Sequence, residues 1–214
     1  MKKVKLEEIY SKLYASFGPQ HWWPAENSFE VIVGAILTQN TAWTNVEKAI
    51  TNLKKAGLLD AHKLYQLPQK KLAALIRPAG FYNIKARRLK EFLNFFSAHY
   101  RLNLEKMLSV PVSTMRRQLL AVHGIGAETA DSILLYALAK PSFVVDNYTK
   151  RILSRHKLIQ SDADYAQVQA LFMQQLKKNS KLFNEFHALL VRLAKDFCLK
   201  NKPRCAICPL KKIS

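Results

Sequence analysis

The residues best suited to chemistry begin with a single acid. Phe143-Val144-Val145-Asp146 is a buried-type apolar run that ends in one carboxylate, with a helical pattern starting just after it. Asp is a favoured N-cap, and a helix N-terminus favours its ionised form. An ionised carboxylate so placed can stabilise developing positive charge, and can orient or deprotonate a water. Twenty residues upstream, Leu119-Leu120-Ala121-Val122-His123-Gly124-Ile125-Gly126-Ala127-Glu128-Thr129-Ala130-Asp131 runs an apolar helix end into Gly-Ile-Gly and straight into a second helix. The two glycines permit positive φ and close backbone approach, and Ile125 can plug back between the helices. The second helix then presents unpaired N–H groups suited to a phosphate oxygen, a role open to Gly124, Ile125 and Gly126. His123 either contacts phosphate or merely closes the turn. Glu128 suits the first turn of a helix. The three cysteines, Cys198, Cys205 and Cys208, fall within eleven residues. An odd, clustered set is a poor disulfide framework and a plausible metal site.

The elements that must carry these groups are helical throughout. No stretch alternates with period two, so the chain reads as all-α. Phe29, Ile32, Val33, Ile36 and Leu37 lie on one helical face behind a capping-box pair, Asn27 and Glu30. That helix stops at Thr38-Gln39-Asn40-Thr41. Further helical patterns cover about 3–17, 43–55, 69–76, 85–100, 114 into the hairpin, 148–156, 164–177 and 183–197. In 214 residues there are 34 Lys plus Arg against 15 Asp plus Glu, a formal charge of +19. Such a surface attracts a polyanion, so nucleic acid is the leading partner and membrane-surface or ribosomal binding the lesser one. No apolar run reaches 18 residues and no signal peptide is evident, so a cytoplasmic, nucleoid-associated protein without membrane contact is expected.

Gly124-Ile125-Gly126 followed by Phe143-Val144-Val145-Asp146 resembles the helix-hairpin-helix DNA glycosylases of the endonuclease III superfamily, over essentially the whole chain. The resemblance implies two lobes with the DNA groove between them. The first is a six-helix lobe at 28–140, its hairpin at about 114–140. The second joins 1–27 to 141–214, with a cysteine loop at 198–214. It further implies that Asp146 is catalytic, acting on the N-glycosidic bond of a base flipped from double-stranded DNA by a monomeric enzyme. Bifunctional members carry a nucleophilic lysine where Glu128 stands here, so base removal without strand cleavage is expected.

Trp22-Trp23-Pro24, the Thr38–Thr41 segment and Trp43 resemble more narrowly the 3-methyladenine DNA glycosylase III branch. That likeness puts Trp22, Trp23, Pro24 and Trp43 in the base pocket, where indole faces suit a cationic alkylated purine. Core packing is the alternative for these tryptophans. Gln39 matches the glutamine that fills the gap left by the extruded nucleotide. Gly80-Phe81-Tyr82-Asn83-Ile84-Lys85-Ala86-Arg87-Arg88 also fits the family pattern. Seven basic residues and no acid lie between Lys70 and Lys90.

The spacing Cys198-x6-Cys205-x2-Cys208 is three quarters of the endonuclease III iron–sulfur loop. Its fourth ligand position is Ser214, so a [4Fe–4S] cluster, zinc or no metal all remain open. Two other functions compete with alkylpurine removal: a mismatch thymine, uracil or adenine glycosylase, and a non-catalytic helix-hairpin-helix DNA-binding protein. A bifunctional glycosylase/lyase fits least.

Overall fold

The computed structural model describes residues 6–23, 25–211 and 213. The described residues are helical, joined by turns, with no strand among them. They divide into two compact units, Ala25–Leu138 and a second built from the segments up to Pro24 and from Ala139 onward.

The unit of Ala25–Leu138 is arranged around α2 (Ser28–Leu37), whose residues from Phe29 to Leu37 are all buried. One apolar face was expected from the periodicity; burial on all sides makes it a central helix. It packs on α3 (Trp43–Lys55), α6 (Tyr82–Tyr100), α9 (Ala127–Ser132) and the π-helical turn Ile133–Ala137 that continues α9. The capping-box expectation is half met. Asn27 Oδ1 accepts from Glu30 N at 2.9 Å. The Glu30 carboxylate instead takes Glu26 N at 3.1 Å and pairs with Lys54 at 2.9 Å. A buried carboxylate needs a cation more than it needs its own cap.

Between these helices lie α4 (Ala61–Gln66), α5 (Gln69–Leu75), a 3-10 turn (Arg77–Ala79), α7 (Leu104–Leu108) and α8 (Val112–Ala121). The helices α4 and α7 escaped the sequence pattern because one or two turns hold too few apolar positions to show a period. Their caps are visible in retrospect: Asp60 accepts from Lys63 N, and Asn103 from Glu105 N. The helix expected from Lys85 begins three residues earlier, just after Phe81 in a left-handed conformation.

In the other unit, α12 (Ser180–Asp196) packs against α1 (Leu6–Phe17) and α10 (Asn147–Arg155). Phe143 stacks flat on Phe172 of α11 (Tyr165–Gln175), centroids 3.7 Å apart, and meets Phe183 and Phe186 edge-on. Burying one such ring contributes roughly 1.5–3 kcal/mol. The apolar run is thereby anchored three residues before its carboxylate. Among the described residues no helix is long and apolar enough to cross a membrane.

Candidate functional site

Asp146 sits where a rigid run meets a helix start. Gln169 donates to Phe143 O at 2.8 Å, and Val145 N approaches the Tyr165 hydroxyl at 3.5 Å, so the extended segment is held by both backbone and rings. Asp146 is the N-cap of α10, its Oδ1 accepting from Thr149 N at 2.7 Å. Its Oδ2 lies 3.6 Å from His187 Nε2 on α12, and only 15% of the Asp146 side chain is exposed. Burial pushes the carboxyl pKa up. The charge and hydrogen bonding of His187, with the bonds from Thr149, outweigh it and leave the group below its ordinary value. Asp146 is therefore an ionised carboxylate at neutral pH. Oδ1 makes the cap, and Oδ2 lies outside it on the His187 side. His187 was missed, because a histidine 41 residues from Asp146 on an apolar helix carries no local signal.

The hairpin joins α8 to α9 in the unit of Ala25–Leu138. Arg116 holds the wholly buried Asp131 with two bonds, at 2.8 and 3.0 Å, tying the two helices together. Ile125 is buried, as its position between the glycines suggests. The glycines themselves differ. Gly124 has φ +87, and a Cβ there would meet Arg88 Cγ at 2.4 Å. Gly126 is extended, with φ −89 and ψ 179, and open space lies beside it. Positive φ was expected to serve both; only Gly124 uses it, while Gly126 caps α9 without a side chain. His123 and Glu128 are exposed.

Gln39 is held on this hairpin. Its Nε2 donates to Gly124 O at 3.1 Å and to Thr129 Oγ1 at 2.9 Å, and its Oε1 accepts from Arg88. The segment carrying it rests on Lys85, which is 1% exposed. Lys85 Nζ donates to Leu37 O at 2.8 Å, Thr41 Oγ1 at 2.5 Å and Ala79 O at 2.7 Å. Burial, and then the charge of Arg88, lower its pKa to about 8. In the sequence Lys85 and Arg88 belong to one run of seven basic residues. The first is an internal strut, and the second positions Gln39.

The tryptophans fall in both units. Trp22 and Trp23 meet edge to face with centroids 5.8 Å apart, and both are half-buried. The loop before them is tied to α12 by Gln20 N donating to Glu185 at 2.8 Å. Trp22 Nε1 is buried with no hydrogen-bond partner among the described residues. Trp43, half-buried at the start of α3, donates to Glu47 at 2.7 Å. Pro24 lies outside the described residues.

The cysteine loop surrounds a cavity of about 160 Å³ lined by Cys198, Cys205, Cys208, His156, Arg155, Phe197, Pro203 and Lys211. Arg151 donates to Cys198 O at 2.9 Å, and Arg155 to Cys198 Sγ at 3.3 Å and Leu199 O at 2.6 Å. Burial raises the Cys208 thiol pKa; the other two cysteines add to this, and a backbone bond from Leu210 opposes it. Among the described residues no three histidine, cysteine or carboxylate side chains could hold a single metal ion. A cluster asks for something else, one soft ligand at each of several corners around a void, with donors beside the sulfurs. Three thiols around one cavity, with a guanidinium on Cys198, fit that demand. Ser214 lies outside the described residues.

Comparison with known proteins gives a consistent result. The family model for the HhH-GPD superfamily base excision DNA repair protein matches residues 33–178. A protein of Methanocaldococcus jannaschii named as a DNA repair glycosylase is 49% identical, over 99% of this chain and 97% of that protein. The solved Helicobacter pylori 3-methyladenine DNA glycosylase, bound to 1,N6-ethenoadenine, is 31% identical over 89% of this chain and 97% of its own, with a TM-score of 0.77. An endonuclease III–DNA complex matches in fold, with a TM-score of 0.84 at 20% identity over 100% of this chain and 95% of its own.

Proposed function

Because this chain belongs to the HhH-GPD superfamily of base excision repair proteins and is a DNA N-glycosylase, we propose that it removes alkylated purines, 3-methyladenine above all, by hydrolysis that leaves the strand intact. The observation that carries this is Asp146, ionised, with one oxygen committed to Thr149 N and the other at the edge of the buried surface beside His187. Cleaving the C1′–N bond builds positive charge on the sugar, and a fixed carboxylate stabilises that charge more than it stabilises the neutral sugar. The second oxygen can also take a proton from the attacking water.

Glu128 supports the hydrolytic route. It occupies the hairpin position of the lyase lysine, and a carboxylate cannot form the Schiff base that leads to strand cleavage. The substrate class rests on the indoles. Trp22, Trp23 and Trp43 offer faces to which a cationic base gains about 0.5–2 kcal/mol over a neutral one. A relative 31% identical, a 3-methyladenine DNA glycosylase, was solved with 1,N6-ethenoadenine bound. Gly126 and its neighbours, with His123, would meet DNA phosphates, Gln39 would fill the vacated stack, and the enzyme would act as a monomer on damaged duplex DNA. The cysteine loop would hold a [4Fe–4S] cluster, which in such a site braces the loop.

The test is product analysis on DNA that has been randomly alkylated, deaminated and oxidised. Release of 3-methyladenine, with no covalent adduct trapped by borohydride and breaks only after alkali, is the expected result. Replacing Trp43 by Leu should then weaken excision of the cationic base by one to two decades, and that of any neutral base less. Release of thymine or uracil from mismatches instead would overturn the substrate assignment, and efficient trapping would overturn the hydrolytic one.

A further inference from the structure

The cavity inside the cysteine loop is lined by an imidazole, that of His156, as well as by the three thiols. We infer that His156 is the fourth ligand of an iron–sulfur cluster bound there by Cys198, Cys205 and Cys208. The inference rests on the cluster reading above and deepens it.

His156 is the C-cap residue of α10, so its ring is placed by a helix whose start is fixed at Asp146. It lines the same cavity as the three thiols. Its Nδ1 lies 3.0 Å from Ile213 O. A carbonyl can only accept, so Nδ1 carries a proton, and in the neutral ring that leaves the lone pair on Nε2. A ligating histidine is held in this way: one nitrogen donates to a backbone carbonyl, which fixes the tautomer and leaves the other for the metal.

The same hydrogen bond brings the imidazole against Ile213, one residue before the position where the loop's spacing calls for a fourth cysteine and supplies Ser214. A serine hydroxyl is a hard donor that must lose a proton to bind well. A neutral imidazole needs no such step and is an accepted ligand of iron in sulfur clusters.

A further observation agrees. Arg155, next to His156, donates to Cys198 Sγ, the kind of bond that offsets thiolate charge around a cluster. Three thiolates and a neutral imidazole carry one negative charge fewer than four thiolates. The reduction potential is therefore expected to lie above that of an all-cysteine site.

The experiment uses the full chain, purified without oxygen, reconstituted with iron and sulfide and grown on ¹⁵N-histidine. Iron content reports the cluster reading. Pulsed EPR of the reduced state reports the ligand, because a coordinated nitrogen couples to the electron spin. The expected result is nitrogen coupling in the wild-type protein and its loss in His156→Gln together with part of the iron. In His156→Cys the iron should be retained, the coupling absent and the potential lower. Ser214→Ala should keep both iron and coupling. A cluster without nitrogen coupling, or one lost in Ser214→Ala and kept in His156→Gln, overturns the assignment of His156. A chain that takes up no iron overturns the cluster reading and the inference with it.

Discussion

At the scale of single residues, the carboxylate of Asp146 and the ring of His187 act as one unit. Replacing Asp146 by Asn keeps a hydrogen-bond acceptor for Thr149 N, so folding stability should change by no more than about 1 kcal/mol. The negative charge is lost, and with it the group proposed to act mainly in the transition state. Turnover should fall by about 10²–10³ while DNA affinity changes little. Single-turnover kinetics and a binding titration separate the two effects. His187→Leu tests the partner. The folded-state pKa of Asp146 is depressed, so its ionised form prevails down to a pH below the ordinary carboxylate range. Without His187 the opposing effect of burial is less well countered, and the acid limb of the kcat/KM profile should move to higher pH. An unmoved limb would mean that His187 only packs.

At the scale of elements, the two hairpin glycines separate folding from binding. Gly124→Ala meets both a left-handed backbone and the Arg88 stem at 2.4 Å. It should cost at least about 1–2 kcal/mol in urea unfolding and should loosen Gln39. Gly126→Ala meets neither obstacle, so its stability should stay within about 1 kcal/mol of wild type. Its affinity for duplex DNA should drop, since a methyl group would occupy the open space proposed for a phosphate.

Lys85 governs the segment behind Gln39. Its pKa is about 8 when folded and about 10.4 when unfolded. Between those values the unfolded chain binds more protons, so stability rises with pH. Lys85→Met has no such group and leaves Leu37 O and Ala79 O without their donor. The urea-midpoint gap between wild type and this variant should therefore widen from pH 7 to pH 10. A narrowing gap would show that the three oxygens hold the ammonium more strongly than burial expels it.

At the scale of the whole molecule, the charge of +19 makes DNA binding an electrostatic matter first. Each phosphate neutralised contributes about 0.9 to the slope of log K against log salt. Contact with six or more should lose about 10³ in affinity between 50 and 200 mM salt. A slope near zero would show that the basic surface does not face the duplex.

Much of this was legible in the chain of residues, and the boundary has a physical cause. Periodicity set the long helices, because a 3.6-residue repeat is a local property summed over several turns. Gly-Ile-Gly and Val-Val-Asp marked the hairpin and the carboxylate, because turn geometry and capping act within four or five residues. Neighbours from distant segments were decided only by the tertiary structure: His187 beside Asp146, Thr129 and Arg88 on Gln39, three carbonyl and hydroxyl oxygens on Lys85, and His156 among the cysteines. Lys85 and Arg88 look alike in the sequence, two basic residues three apart. Packing buried one and left the other to reach Gln39, because the burial of a helical residue depends on what lies against its face, which its own segment does not encode.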